Sequence, residues 1–234
     1  MNRLTHCDWL LHNKKRHTAV TDPVVIHLME EIDTSLVQKI SRQINEAQRT
    51  RQPFLPVVIN APGGDVYDSL HIVELLRTCG LPVHTIGFGL VASGAAFVFT
   101  CGTERWLAPT AKFMVHDVSA DVDGNLSGAA MRIEADEMTH LKQIMCEQMA
   151  TNVGQPKTYF SDLIHSRGNV DVYLTAADCL ERHIATHVGV PTLCLDISVS
   201  LRLVAAQDVV EEDAHPTEVV EELVTTNNSK RKRK

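Results

Sequence analysis

The chain has 234 residues, of which 44% are hydrophobic and 22% charged, and a formal net charge of −7. Domains usually run to ~100–150 residues and single ones reach ~200–250, so this is material for one core and not two, far from the composition of a disordered or fibrous chain. The acidic balance argues against non-specific nucleic-acid binding as the main task, because phosphate affinity comes largely from clustered Lys and Arg.

In chain order, residues 1–23 form an N-terminal segment in which Trp9, Leu10 and Leu11 sit among His6, Asp8, Lys14, Lys15 and Arg16. It lacks the continuous apolar stretch of a secretory signal, and no run approaches the ~18 apolar residues of a membrane span, so no membrane partner is expected. The domain proper is placed at 24–200. Val24 to Met29 reads as a buried strand. A helix from Thr34 to Thr50 follows, with Leu36, Ile40, Ile44 and Ala47 at helical spacing and Asp33 as N-cap. A second strand, Leu55 to Ala61, stops at Pro62-Gly63-Gly64. Beyond it Val66, Leu70, Ile72, Val73 and Leu76 mark a second amphipathic helix. A third strand, Val83 to Gly89, runs through a turn at Ser93 into the small-residue segment Gly94 to Cys101. This β-α-β-α alternation predicts an α/β fold with a largely parallel sheet and right-handed crossovers.

Glu104 to Leu107 and Lys112 to Val115 read as two short strands joined by a turn at Ala108-Pro109-Thr110-Ala111, delivering His116 to a loop. Ser127 to Asn152 carries the longest helical pattern. Met131, Ile133, Met138, Leu141, Ile144, Met145 and Met149 crowd one broad side of it, which suits core or oligomer packing. Another helix is expected near Lys157 to Ser166, and Thr175 with Asp178 opens a short helix in the manner of a capping box. Residues 201–234 turn acidic and close on Lys230-Arg231-Lys232-Arg233-Lys234, a tail expected to be mostly disordered. The six cysteines, Cys7, Cys79, Cys101, Cys146, Cys179 and Cys194, form no CxxC pair, which points to a reducing compartment. A cytoplasmic location is therefore expected, with a nuclear one as the alternative if the terminal basic run is an address.

Acyl transfer by serine needs an exposed hydroxyl, a base to take its proton, and donors aimed at the oxyanion. Ser93 lies between a strand and a helix, where a serine is either an N-cap or a hydroxyl projected at a helix N-terminus. Gly94 removes bulk where a substrate carbonyl would approach. The glycines of Asn60-Ala61-Pro62-Gly63-Gly64 can leave amides free at the carboxyl end of the sheet, where open α/β sheets bind ligands, so the Gly64 and Gly94 amides are candidate oxyanion donors. His116 is either a surface histidine or the base. Cys179, His183 and His187 stand four apart and would share a zinc-binding face on one continuous helix, but no fourth ligand is evident, so no metal or other cofactor is expected.

The ordered blocks Asn60-Ala61-Pro62-Gly63-Gly64, Ala92-Ser93-Gly94-Ala95-Ala96 and Phe113-Met114-Val115-His116 resemble the Ile-Asn-Ser-Pro-Gly-Gly, Ala-Ser-Met-Gly/Ala-Ala and Met-Ile-His-Gln blocks of the Clp protease proteolytic subunit. Gly154-Gln155-Pro156 and Tyr173-Leu174-Thr175-Ala176-Ala177 are similar to two later blocks of that family, and the likeness covers about Val24 to Val190. The resemblance implies a ClpP/crotonase-like fold of stacked β-α-β units with a long projecting helix. It also implies a serine endopeptidase acting on unfolded polypeptides or peptides, with Ser93 as nucleophile, His116 as general base and acid, and Gly64 and Gly94 as oxyanion donors. For the third member, counting forward from Gly154 reaches Asp162, whereas counting back from Tyr173 reaches Asn169 and Asp171. Asp171 is favoured. Kinship further implies a homo-oligomeric ring, and because no P-loop is present any ATP-dependent unfoldase is a separate chain. The alternatives are a catalytically silent ring subunit and, further off, a crotonase-type acyl-coenzyme A enzyme.

Overall fold

Four strands lie side by side in chain order, all parallel, in the computed structural model, which describes residues 23–50, 52–119, 127–168 and 170–192. They are β1 (Ile26–Leu28), β2 (Leu55–Ala61), β3 (Val83–Ala92) and β4 (Glu104–Leu107). Parallel neighbours need a crossover, and the helices α1 (Thr34–Thr50), α2 (Val66–Thr78) and α3 (Gly94–Thr100) supply one each. The apolar stripe of α1 is buried as its spacing predicts, from Leu36 and Val37 through Ile40 and Ile44 to Ala47. Asp33 caps this helix, its Oδ1 accepting the Leu36 N–H at 2.8 Å. In β2 the side chains of Leu55, Val57 and Ile59 are fully buried and Pro56 is buried beside them, the near-continuous burial of a strand covered on both faces.

β3 is long enough to serve two partners end to end. Its first half pairs with β4 from His84 opposite Glu104 to Gly87 opposite Leu107, and its second half with β5 (Lys112–Val115) from Leu90 to Ala92, both parallel. The turn expected between β4 and β5 is present, with the Ala111 N–H donating to the Ala108 carbonyl at 2.9 Å, but it steps the chain along β3 and does not fold the two strands together. Where β2 and β3 change register after Ile59, the Asn60 side chain fills the irregularity by accepting the Leu90 N–H at 3.0 Å. Two strands lie beyond those the sequence pattern predicts: β6 (Val172–Thr175), antiparallel on β5, and β7 (His187–Val188), parallel on β4.

The longest helix, α4 (Gly128–Asn152), begins at a Ser127 N-cap and buries only its second half, through Leu141, Met145, Cys146, Met149 and Ala150. The broad apolar side expected along all of it is therefore divided, with Met131 and Ile133 47% and 71% exposed. Helix α5 (Tyr159–Ser166) packs against α4, and α6 (Ala176–Glu181) starts from the full capping box of Thr175 and Asp178. All described residues belong to a compact unit that ends at Thr192. Residues 1–22 of the N-terminal segment and the charged tail lie outside the described residues, as does Asn169. Among the described residues no helix is long and apolar enough to cross a membrane.

Candidate active site

Ser93 occupies the N-cap position of α3, yet its hydroxyl caps nothing. It meets His116 Nε2 at 2.7 Å. In the tautomer that carries its ring proton on Nδ1, the hydroxyl donates to Nε2, the arrangement from which a histidine accepts a serine proton. The backbone accounts for this geometry. Ser93 has φ 53 and ψ −123, a left-handed conformation that a side chain adopts only under constraint, and it turns Oγ away from the α3 amides. Such a sharp strand-to-helix turn is how a nucleophile is exposed at the top of an α/β sheet. The constraint is visible on both sides: the Ser93 N–H donates to the Met114 carbonyl at 2.9 Å, and the Phe97 N–H bonds the Ser93 carbonyl at 3.1 Å. Met114 is two residues before His116, so one ladder bond sets both halves of the pair.

The Pro-Gly-Gly turn lies against this elbow. A β-carbon on Gly63, whose φ is 106, would stand 2.7 Å from Ser93 Cβ and 2.8 Å from the Gly94 nitrogen. At the next residue Ile32 bridges in parallel fashion, its N–H bonding the Gly63 carbonyl at 2.7 Å and its carbonyl taking the Asp65 N–H at 2.9 Å. In that pattern the Gly64 amide has no main-chain acceptor among the described residues, and Gly94, as the first residue of α3, has no intrahelical acceptor for its own. Both glycines border the cleft that holds Ser93. Gly94 also has a packing reason to be small: a side chain there would run into Ser69, a fully buried residue of α2 whose hydroxyl donates to the Asp65 carbonyl at 2.7 Å. The missing side chain therefore serves helix packing at a position that also borders the cleft.

The acid candidates separate by geometry. Phe160 and Ile164 of α5 face the core and line the cleft, which turns the intervening Asp162 to the outer, exposed face of that helix. Asp171 immediately precedes β6, whose antiparallel register on β5 ends at Val115 opposite Val172. One step further along that register sets residue 171 against residue 116. Asp171 is exposed, and among the described residues no carboxylate lies within 4.0 Å of either ring nitrogen of His116. Two cleft residues went unremarked in the sequence. Asp117 and Lys142 form an ion pair at 2.7 Å beside His116, and nothing in either residue's local pattern signals a pairing 25 positions apart. The zinc-like spacing does not form a face, because α6 ends at Glu181 before His183, and His187 instead stacks on Trp106 with ring centroids 4.1 Å apart.

The cleft beside Ser93 and His116 measures about 90 Å³ and has an apolar floor from Val115, Met145, Met149, Phe160 and Ile164. Cys146 also lines it, but burial pushes its thiol up to about 11, so it stays protonated at neutral pH and is a weak nucleophile. A hydroxyl bonded to an imidazole, two amides at hand and an apolar recess beside them can accept an extended acyl group and attack its carbonyl.

A parallel α/β sheet with strand-crossing helices, a glycine turn over a strained serine elbow and a long half-exposed helix defines a ClpP/crotonase-like protein. Residues 12–191 match the Clp protease family, and the chain belongs to that family. Similar curated relatives are the ATP-dependent Clp protease proteolytic subunits 2 of Nocardia farcinica, 29% identical with 70% of this chain and 79% of the relative aligned, and of Rhodococcus jostii, 30% identical with 70% and 83% aligned. The corresponding subunit of Parasynechococcus marenigrum is 32% identical, covering 67% of this chain and 78% of its own. Among solved structures, a mutant ClpP1 from Listeria monocytogenes superimposes with a TM-score of 0.62 at 19% identity, over 70% of this chain and 90% of that one, a likeness of fold.

Proposed function

We propose that the chain is a serine-type endopeptidase that cleaves unfolded polypeptides or peptides through an acyl-enzyme on Ser93. The observation that carries this reading is the 2.7 Å bond between Ser93 Oγ and His116 Nε2. Ser93 Oγ attacks the peptide carbonyl carbon while its proton passes to His116 Nε2, and the Gly64 and Gly94 amides take the developing oxyanion. The imidazolium then protonates the leaving amine. A water activated by the same nitrogen hydrolyses the ester and returns Ser93 to its starting state. Asp171 is the residue we assign to orient His116, a reading supported by its register position opposite that histidine. The names of the relatives support ATP-dependent partnership with a separate unfoldase. The exposed Met131 and Ile133 on α4 support assembly into a homo-oligomeric ring.

The test is labelling by a serine-directed fluorophosphonate together with hydrolysis of a short fluorogenic peptide, which needs no unfoldase. The parent chain is expected to label at Ser93 and to turn over, and Ser93→Ala to do neither while assembling normally. A parent chain that fails to label beside a competent control, or peptide hydrolysis that persists in Ser93→Ala, would remove the assignment.

A further inference from the structure

His116 stands on backbone that the sheet does not hold. The β5 ladder to β6 ends at Val115, and among the described residues the main chain of 116–119 makes no hydrogen bond to other main chain. What fixes this stretch is the Asp117 carboxylate, which uses its two oxygens for different ends. Oδ1 accepts the Val118 N–H at 2.9 Å, bracing the loop from within, and Oδ2 takes Lys142 Nζ at 2.7 Å, fastening the loop to α4. Lys142 projects from the stretch of α4 that is anchored in the core by Leu141, Met145 and Cys146, so the far end of the tether is rigid. The pair lines the cleft, with the two side chains 35% and 23% exposed, and its lysine makes no other salt bridge among the described residues.

We infer that Lys142 is a positioning residue for the reaction: through Asp117 it holds the loop that carries His116 so that Nε2 faces Ser93 Oγ. The inference rests on the assignment of His116 as the base. Lys142 touches no reacting atom in this scheme. Without it the loop keeps its internal Val118 brace but loses its hold on α4, and the imidazole samples orientations in which proton transfer from Ser93 is misaligned. A displacement on the order of 1 Å at a reacting pair costs about 100-fold in rate. The apolar floor of the cleft, which receives the substrate in the proposed reaction, stays in place.

The experiment compares Lys142→Met, Lys142→Arg and Asp117→Asn in the full chain, with peptide hydrolysis, fluorophosphonate labelling rate, thermal melting and assembly read together and Ser93→Ala alongside. Lys142→Met and Asp117→Asn are expected to lower kcat about 10- to 100-fold with KM within about twofold, to slow labelling in parallel, and to leave melting and assembly at the parent values. Lys142→Arg, which restores a cation of similar reach, is expected to recover most of kcat. A parent-like kcat in Lys142→Met, or a loss that tracks melting or assembly in both Lys142→Met and Asp117→Asn, overturns the inference. If Lys142→Met does not assemble, the nearly isosteric Asp117→Asn alone decides. An active Ser93→Ala would instead overturn the peptidase assignment itself, so the two failures are distinct.

Discussion

Around Ser93 three residues share a space that admits one side chain. Gly63, with φ 106, and Gly80, with φ 76, both adopt backbone that favours glycine, but a β-carbon on Gly80 would meet nothing within 4 Å whereas one on Gly63 would press on Ser93 and Gly94. The two alanine variants therefore separate strain from collision. Gly80→Ala is expected to cost about 1 kcal/mol with full peptide hydrolysis. Gly63→Ala is expected to cost about 1–3 kcal/mol more and to abolish labelling of Ser93, because the elbow must move to make room. Denaturant titration and labelling of both variants check this, and equal stabilities with equal labelling would show that the turn and the elbow are not packed as described. At this scale the sequence pattern marks Ser93, His116, Gly64 and Gly94 as candidates but not the packing that also keeps residue 94 small. That constraint is Ser69, on a different helix, and contacts between elements leave no mark in either local pattern. Asp117 and Lys142 were invisible for the same reason.

Helix α4 divides into a half that this chain buries and a half that it does not. Met149 is 4% exposed in the core and Ile133 is 71% exposed. Met149→Ala is expected to destabilise the fold by about 2–5 kcal/mol through lost burial and a cavity. Ile133→Lys is expected to stay within about 0.5 kcal/mol in the isolated chain while weakening self-association. Urea titration with sedimentation analysis distinguishes these effects, and an Ile133→Lys variant that assembles as the parent does would show that this half of α4 is not an oligomer contact. The bounds of α1, β2, β4 and β5 follow from periodicity and from signals beside each segment: the apolar stripe and Asp33 cap of α1, the Pro62-Gly63-Gly64 break after β2, and the Pro109 turn between β4 and β5. Strand β6 has no such signature. Val172 and Leu174 alternate over four residues only, and the segment becomes a strand because β5 offers it an edge. The split of α4 was equally hidden, since an apolar residue on a helix reads the same whether its cover is its own core or another copy.

For the molecule as a whole, the proposal of Asp171 as the partner of His116 draws on the pairing of β5 and β6, segments more than fifty positions apart whose register ends at Val115 opposite Val172, one step short of these two residues. A count along the chain from Gly154 reaches Asp162 instead, because such a count depends on the length of the intervening helix, while pairing register does not. The same packing sets how the protein responds to alkali. Burial pushes Cys101 up to about 12, Cys146 to about 11 and Cys179 to about 12, against an ordinary thiol value of 9.0 in the unfolded chain. Below pH 9 folded and unfolded forms both keep these protons and the stability is complete. Above it the unfolded chain releases protons that the folded chain retains, which favours unfolding until the pH passes the folded values near 11 and 12. Each thiol then contributes a loss of about 1.4 kcal/mol per pH unit, so the three together approach ~4 kcal/mol one unit above their unfolded value, comparable to the whole stability of a marginal domain. Denaturant midpoints measured across this range should fall steeply. Cys179→Ala should have a shallower alkaline slope by about one thiol's share, whatever its stability at neutral pH. A slope unchanged in that variant would mean that the Cys179 proton is not what the folded state retains, and would locate the alkaline sensitivity elsewhere in the chain.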